Sequence, residues 1–480
     1  MLFNSWQYAL FFPIVFALYW GLPHRFRIGL ILIASYYFYM SWNVKYVVLI
    51  LFTTIVSYSA ALIIAKTDSI RTKKAILILS LIACLGVLFV FKYFNFFAGA
   101  VVDFMSLFTI HLHPMTLKLL LPVGISFYTF QTLGYVIDVY RDKTQPEKNF
   151  WVYATFISFF PQLVAGPIER TNNLLPQIKA VHEFKYEQAA YGIKLMAWGF
   201  FKKLAIADVL AAYVDRVFAN LHDYQGFVLV LTIFFFTIQI YCDFSGYSDI
   251  ARGCSKMLGI DLMENFRSPY FSASLREFWS RWHISLSTWF RDYVYIPLGG
   301  NRCGKFRHNM NLLLTFTISG LWHGASWTFV AWGMLHGIGQ IIENAIICPT
   351  KRASGHMSHM VRSLLTFVFV MMAWVFFRAR SLDDAMYIFG HMFTGFSLHT
   401  ILYSVGLGYK RVILLLITVS ILVMILAVQD FISLKRDAIS LISSQNTAFR
   451  WIVYNALTVL TFFMYVTFAV SNASFVYFQF

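Results

Sequence analysis

The stretch NMNLLLTFTISGLWHGASWTFVAWGML, residues 309–335, gives the first indication of the architecture of this chain. Most of its side chains are apolar, yet one histidine, His323, lies in the middle between two tryptophans and two glycines. An ionisable side chain at membrane depth is costly, and it usually marks a transport pathway or a site. The stretch therefore predicts a membrane-embedded segment that carries chemistry.

The same apolar character extends over the whole chain. Of its 480 residues, 59% are hydrophobic and 12% are charged, whereas soluble domains average about 25% charged residues. Apolar runs long enough to cross a bilayer recur from Trp6 onward. We predict an all-α polytopic membrane protein with roughly eleven transmembrane helices. The first 20 residues lack the basic region and cleavage site of a signal peptide, so we interpret them as the first span.

The formal net charge of +16 has two interpretations. In a soluble protein it would indicate nucleic-acid binding, whereas in a membrane protein it indicates basic loops facing an anionic cytoplasmic leaflet. The loops favour the second interpretation, because basic loops at 23–27, 66–74 and 141–148 alternate with loops that carry at most one lysine. We predict a multi-pass protein of the cytoplasmic membrane with its amino terminus outside, and we expect no nucleic-acid partner.

The middle of the chain differs from the plain apolar runs on either side. Its apolar runs are broken by polar, glycine- and proline-bearing stretches such as FFPQLVAGPIERTNNLLPQ, residues 159–177. Irregular backbone at membrane depth survives only where it is buried in protein or lines a cavity. We therefore expect one membrane-embedded domain, residues 1–480, whose catalytic core, approximately residues 155–345, contains re-entrant or broken helices.

His323 is the first candidate site residue. Gly320, Gly324 and Ala325 lie beside it, and small residues either let helices approach closely or leave room for a ligand. The alternative is a neutral histidine that hydrogen-bonds to a neighbouring helix, with the tryptophans acting as interfacial anchors. Periodicity alone does not separate these interpretations.

His283 is the second candidate, within EFWSRWHISLSTWFRDY, residues 277–293. On a single helix, Phe278, Trp282, Leu286 and Trp289 would share one face. Such a helix fits a membrane surface or the wall of a funnel. The alternative is an interfacial helix whose histidine and arginines only reach toward the headgroups.

Two further stretches carry charge. Asp243 and Asp249 follow a long apolar run, and we expect them to pair structurally with an arginine such as Arg252, Arg267 or Arg281, or else to orient a histidine. The glycine-rich segment PLGGNRCGKFRH, residues 297–308, is basic through Arg302, Lys305 and Arg307. These three side chains are candidates for attracting an anionic ligand, although basic cytoplasmic loops are common.

Other chemistries lack their sequence signatures. The five cysteines are scattered without a CxxC pair, which argues against a disulfide framework or a zinc site. No GxSxG, HExxH or GxGxxG motif is present, and no serine or threonine follows Gly304-Lys305 as in a Walker A loop. We expect no metal, and a histidine general base is the chemistry that remains.

Seven stretches, in this order, resemble the membrane-bound O-acyltransferase (MBOAT) family, and they are most similar to its bacterial branch, typified by alginate O-acetyltransferase. Together they extend over nearly the whole chain. They are ILIASYYFYMSW (31–42), LPVGISFYTFQTLGYVIDVYR (121–141), FPQLVAGPIER (160–170), YCDFSGYSD (241–249), MENFRSPYFSASLREFWSRWHISLSTWFRDYVYIPLGGNR (263–302), SGLWHGASWTFVAWGMLHG (319–337) and YFQF (477–480).

The resemblance implies a ring of helices around a thinned centre, with a cytoplasmic funnel that ends at the histidine of LWHG. It implies that His323 is the principal catalytic residue and that His283 is a second one. The family moves an acyl group from a cytoplasmic thioester to a hydroxyl, so acetyl-CoA is the expected donor. Residues Asn309, Asn311, Ser319 and His283 are unranked candidates for stabilising the oxyanion.

The resemblance also implies an acceptor and a partner. In this branch the acetyl group passes outward, across the bacterial cell membrane, to an alginate-like exopolysaccharide or a cell-wall polymer. An extracytoplasmic partner similar to SGNH hydrolases commonly completes the transfer. Two alternatives stay open: D-alanyl transfer from a carrier protein to teichoic acid and, outside this family, a secondary transporter with broken central helices.

Overall fold

The computed structural model describes residues 1–113, 115–347, 356–395 and 409–468. Within these ranges the chain forms α-helices, short 3₁₀ and π turns and loops, with no β-strand. The predicted all-α class is therefore confirmed. The YFQF stretch at 477–480 lies outside the described residues, as does Cys348.

The chain forms two compact units. The first comprises Met1–Ile193 and Ala251–Met263. Several of its helices begin at a serine or asparagine whose side chain accepts a hydrogen bond from a first-turn amide, as Ser5, Ser69 and Asn149 do. Its helices are α1 (Trp6–Gly21), α2 (His24–Met40), α3 (Val47–Lys66), α4 (Ile70–Leu88), α5 (Phe94–Ser106), α6 (Ile125–Tyr140), α7 (Phe150–Ser158), α8 (Phe160–Leu163), α9 (Thr171–Lys179) and the beginning of α10 (Tyr186–Phe200).

The second unit comprises Lys194–Ile250 and Glu264–Phe480. It contains both candidate histidines and a large core that is rich in tryptophan and phenylalanine. Its helices are α11 (Asp208–Ala219), most of α12 (Phe227–Met257), α13 (Leu275–Arg281), α14 (Ile284–Phe290), α15 (Lys305–His323), α16 (Trp327–Ile347), α17 (His356–Arg378), α18 (Leu382–His391), α19 (Tyr409–Ser433), α20 (Ala438–Ser443) and α21 (Thr447–Phe468).

Six helical segments in the described ranges are long and apolar enough to cross a membrane. Three of them, α17, α19 and α21, fall on apolar runs that the sequence marks as plain spans. The predicted number of about eleven stays a prediction, as do the single domain, the ring of helices and the funnel. The six segments are Val44–Lys66, Ile70–Ser106, Phe227–Met257, Ser358–Arg378, Ile413–Ser433 and Thr447–Thr467.

In the described parts of the chain, three helices contain π turns, at Phe89–Tyr93, Phe201–Ala207 and Arg291–Tyr295. A π turn inserts an extra residue into a helix and is frequent at functional sites. The turn at Phe201–Ala207 joins α10 to α11 and carries two consecutive lysines, Lys202 and Lys203, both buried. Sequence periodicity does not predict this feature.

Helices α15 and α16 form a tightly packed hairpin. A Cβ atom on Gly320 would lie 2.2 Å from the carbonyl oxygen of Phe329, and one on Gly333 would lie 2.3 Å from that of Phe316. Only glycine permits this approach, as in many membrane helix pairs. The hairpin fixes His323 at its turn.

Candidate active site

His323 is the last residue of α15, and its imidazole is buried among aromatic rings. The ring centroids lie 4.8 Å from Trp322, 5.1 Å from Trp332 and 5.2 Å from Phe377. These rings belong to α15, α16 and α17, so three helices build the walls around the imidazole. Electrostatic interactions are stronger in such an apolar environment than in water.

The small residues beside His323 do not leave open space. A Cβ atom on Gly324 would lie 2.1 Å from the ring of Phe329, and one on Gly320 would lie 2.2 Å from the backbone carbonyl oxygen of Phe329. Of the two roles that the sequence allows for small residues here, Gly320 and Gly324 serve close approach, because Phe329 occupies the space beside them. Phe329 packs on Phe377 at 4.9 Å, so the glycines allow a second ring to support the wall around His323.

His283 lies at a break between α13 and α14. Its backbone is left-handed, with φ 44° and ψ 54°, which is uncommon for a residue with a Cβ atom. The single amphipathic helix predicted over residues 277–293 is therefore wrong. The backbone on both sides of His283 instead hydrogen-bonds to the segment 265–267, through the carbonyl of Arg281 and the amide of Ile284.

One indole contacts both histidines. The centroid of Trp322 lies 6.2 Å from that of His283 and 4.8 Å from that of His323. Phe244 of α12 packs on His283 at 4.6 Å, and only 1% of His283 is exposed. The fold therefore brings the two predicted catalytic residues into one packed group of buried rings, the aromatic chamber, although they are far apart in sequence. The chamber comprises Phe244, Trp322, Trp332 and Phe377.

The carboxylates of α12 pair with lysines of the π turn. Lys203 Nζ lies 2.6 Å from Asp243 and 2.8 Å from Asp208, while Lys202 Nζ lies 2.6 Å from Asp249. The predicted structural pairing of Asp243 and Asp249 is confirmed, but the cations are lysines of the π turn rather than arginines. Buried pairs of this kind hold two helical segments together, since removal of one partner leaves an uncompensated charge.

Two of the arginines considered as partners pair elsewhere. Arg267 contacts Glu264 at 2.7 Å, and Arg281 contacts Glu277 at 2.6 Å. Both pairs join neighbouring residues of the segment that leads to His283. These arginines therefore stabilise the local backbone around the break.

The basic segment lies at the opposite end of α15 from His323. Arg302, Lys305 and Arg307 are exposed, and the length of α15 separates them from His323 by roughly 27 Å. The structure does not bring these cations to the histidines. They remain available to an anionic ligand at a distance from the chamber.

The candidates for stabilising an oxyanion lie in different places. Asn311 donates hydrogen bonds to the carbonyls of Leu298 and Gly300, each at 3.2 Å, and so holds the glycine-rich loop. It and Asn309 belong to the first turns of α15, far from His323. Ser319 lies one helical turn before His323 and is buried. Of the four candidates, Ser319 and His283 are the ones near the chamber.

Sequence reasoning missed His336, a third histidine of the same aromatic core. It is fully buried, its Nδ1 accepts a hydrogen bond from Trp279 Nε1 at 3.2 Å, and its ring lies 4.9 Å from Trp332. The histidine of MLHG, four residues after Trp332 on one helical face, was an available signal. Asn265, which hydrogen-bonds next to His283, gave no signal.

Among the described residues, no cluster of three or more histidine, cysteine, aspartate or glutamate side chains could hold a metal ion. The described cysteines are free thiols; Cys84, Cys242 and Cys254 are buried and Cys303 is half-buried.

Comparison with known proteins identifies the family. The model for the membrane-bound O-acyltransferase family matches residues 147–382. The probable alginate O-acetylase AlgI of Pseudomonas syringae pv. tomato is 42% identical over 398 residues, which cover 82% of this chain and 75% of the relative. The chain belongs to the membrane-bound O-acyltransferase family.

Two other members of the family are also similar. The peptidoglycan O-acetyltransferase of Helicobacter pylori is 38% identical and covers 74% of this chain and 72% of its own length. The teichoic acid D-alanyltransferase of Streptococcus thermophilus is 30% identical, but over 49% of this chain and 60% of its own length. The similarity therefore favours the acetyl-transferring members over the D-alanyl-transferring ones.

Family membership settles the general nature of the protein. It is a multi-pass membrane enzyme that transfers an acyl group and therefore takes an acyl donor as substrate. The secondary-transporter alternative is set aside. The matched range includes His283, His323 and the aromatic chamber of this O-acyltransferase.

Proposed function

We propose that this protein passes an acetyl group from cytoplasmic acetyl-CoA, across the bacterial cytoplasmic membrane, to hydroxyls of an extracytoplasmic polysaccharide. The acceptor is an alginate-like exopolysaccharide or a cell-wall polymer, reached directly or through an SGNH-hydrolase-like partner. The similarity to acetyl-transferring relatives supports the acetyl group. The observation that carries the proposal is the pair of buried histidines around Trp322.

His323 acts as the general base. Its imidazole takes the proton of the acceptor hydroxyl while the hydroxyl oxygen attacks the thioester carbonyl carbon. The tetrahedral intermediate then collapses, the carbon–sulfur bond breaks, and the leaving thiolate takes the proton from the imidazolium. The two ring nitrogens let an imidazole accept one proton and donate it again, which suits both transfers.

His283 acts as a second catalytic residue that stabilises the oxyanion formed in this step. A donor aimed at the developing charge is worth about 10²–10³-fold in rate. Contact of both imidazoles with Trp322 supports their acting on the same acyl group. The apolar walls would also exclude water, which limits wasteful hydrolysis of the thioester.

The donor approaches from the cytoplasmic side. Coenzyme A carries phosphates, so it does not cross the bilayer unaided. The exposed cations Arg302, Lys305 and Arg307 attract it and raise its local concentration. Their distance from His323 is compatible with a role in capture rather than in chemistry.

The test uses inside-out membrane vesicles from a strain that lacks its own copy of the gene and carries the variant, with labelled acetyl-CoA outside. Labelled ester in the lumenal polysaccharide is measured. His323→Ala should lower transfer about 10²–10⁴-fold, and His283→Ala should also be severe. His391→Ala is the matched control, because His391 is a half-buried histidine of the same unit that bonds to the Tyr387 carbonyl.

Two results would contradict the proposal. A normal rate for His323→Ala would remove His323 from the mechanism. Failure of acetyl-CoA to support transfer by the wild-type protein would instead move the donor to an acylated carrier protein, as in D-alanyl transfer.

A further inference from the structure

His283 occupies the N-cap position of α14, but its imidazole does not cap the helix. The first amides of a helix have no intrahelical acceptor, and an N-cap side chain usually accepts from one of them. A histidine with left-handed backbone is poorly suited to this task. Another group must therefore satisfy these buried amides.

Asn265 supplies the missing cap. Its backbone carbonyl accepts from the Ile284 amide at 3.0 Å, and its side-chain Oδ1 accepts from the Ser285 amide at 3.2 Å. Its Nδ2 donates to Ser248 Oγ of α12 at 3.1 Å. Asn265 is 1% exposed and Ser248 is 2% exposed. Every polar group of the asparagine side chain thus connects the start of α14 to α12.

We propose that Asn265 is a positioning residue for His283: by capping α14, Asn265 holds the backbone next to the histidine and so fixes the imidazole against Phe244. This inference rests on the proposed function of His283. The left-handed backbone of His283 is strained, and it persists because Asn265 and the Arg267–Arg281 backbone bond hold both sides of the break.

The geometry predicts a specific kinetic defect. Asn265→Ala keeps the backbone bond to Ile284 but loses the side-chain bond to the Ser285 amide. The backbone around His283 then relaxes and the imidazole moves, and a displacement of about 1 Å can lower a rate about 10²-fold. Asn265→Ala should therefore lower kcat at least about tenfold while KM for acetyl-CoA stays within about twofold. Ser248→Ala removes only the hydrogen bond from Asn265 Nδ2 to Ser248 Oγ, so it should lower kcat by less than Asn265→Ala does.

A matched control separates positioning from stability. Asn149 caps α7 by accepting from the amides of Trp151 and Val152. Asn149→Ala removes the same kind of bond from an exposed position of the other unit, so it should lower the melting temperature without lowering kcat. If Asn265→Ala is not recovered folded, Asn265→Ser carries the same prediction. The serine hydroxyl lies one bond closer to the backbone than the asparagine Oδ1, so it does not reach the Ser285 amide in the same way.

The decisive measurement is a double-mutant cycle in the vesicle transfer assay, using acetyl-CoA as donor. If Asn265 acts through His283, Asn265→Ala should cause no further loss in a His283→Ala background. An equal loss in both backgrounds, or an unchanged kcat for Asn265→Ala, would overturn the inference. Absence of transfer by the wild-type protein would instead overturn the proposed function, so the two failures are distinguishable.

Discussion

At the scale of single residues, the catalytic candidates depend on neighbours whose importance appears only in three dimensions. His323 and His283 are recognisable in the sequence because ionisable side chains are rare in apolar segments. Asn265 and His336 are not, since their roles arise from contacts with distant segments, at Ser285 and Trp279. Residue type therefore identifies the two histidines as candidates, whereas the residues that hold them in place are recognisable only in the three-dimensional structure.

Gly324 provides a residue-scale prediction. An alanine there would place its Cβ atom 2.1 Å from the Phe329 ring. The backbone angle suits alanine, so the protein should fold, but Phe329 must move and displace Phe377 against His323. We expect Gly324→Ala to lower kcat about 10²-fold, measured in the vesicle assay. Gly304→Ala, at the other end of α15 with nothing within 4 Å, should retain wild-type turnover; equal losses in both variants would refute the argument.

At the scale of elements, close backbone packing and buried ion pairs hold the second unit together. Long apolar helices such as α12, α17 and α19 are predictable from the sequence, because their length and composition alone favour a membrane. The break at His283 and the π turn at Phe201–Ala207 are not, because helix periodicity continues through both. The break at His283 is held by backbone hydrogen bonds to residues 265–267. The π turn at Phe201–Ala207 occurs where two lysines pair with carboxylates of α12.

The buried pairs of Lys203 give an element-scale prediction. Lys203→Met would leave Asp208 and Asp243 buried without their cation, and breaking a buried pair in this way costs about 3–5 kcal/mol. We expect a large fall in the melting temperature of the purified protein. Lys256→Met is the control, because Lys256 pairs with Asp261 while both side chains reach solvent, at 29% and 60% exposure; it should cost less than about 1 kcal/mol. Similar melting temperatures for the two variants would contradict the account.

The α15–α16 hairpin gives a second prediction at the scale of elements. Gly320→Ala brings its Cβ atom within 2.2 Å of the Phe329 carbonyl oxygen, so the helices must separate and the protein should lose stability. Gly86→Ala, inside α4 with nothing within 4 Å, should be neutral or slightly stabilising, since alanine favours helix over glycine. Thermal unfolding in detergent compares the two. A stable Gly320→Ala variant would show that the hairpin does not need this contact.

At the scale of the whole molecule, the sequence predicts a polytopic helical enzyme, and the family match and the six long apolar segments agree with it. The number of spans is harder to predict because several helices, such as α1 and α6, have 16 residues, fewer than the roughly 20 of a straight crossing. Length therefore does not decide whether each crosses the membrane. The orientation rests on the alternation of basic loops alone.

Cysteine labelling tests the orientation. With the amino terminus outside, cysteines introduced at Lys73 and Lys143 should resist an impermeant thiol reagent in intact cells and react after lysis. A cysteine at His111, an exposed residue of a loop predicted to lie outside, should react in intact cells. The opposite labelling pattern would invert the topology and place the segment with Arg302, Lys305 and Arg307 outside the cell, away from cytoplasmic coenzyme A.

Donor capture is the prediction that depends on the whole arrangement. Cations near the mouth of a site attract an anionic ligand, and salt screens this attraction. Replacing Arg302, Lys305 and Arg307 together by glutamine should raise KM for acetyl-CoA several-fold at low salt and leave kcat unchanged, and the difference should vanish at high salt. The control replaces Arg71, Lys73 and Lys74, at the start of α4 in another segment predicted to be cytoplasmic. It removes equal charge and should leave KM unchanged. If both triple variants raise KM equally, net charge rather than this segment attracts the donor; if neither does, these residues serve topology alone.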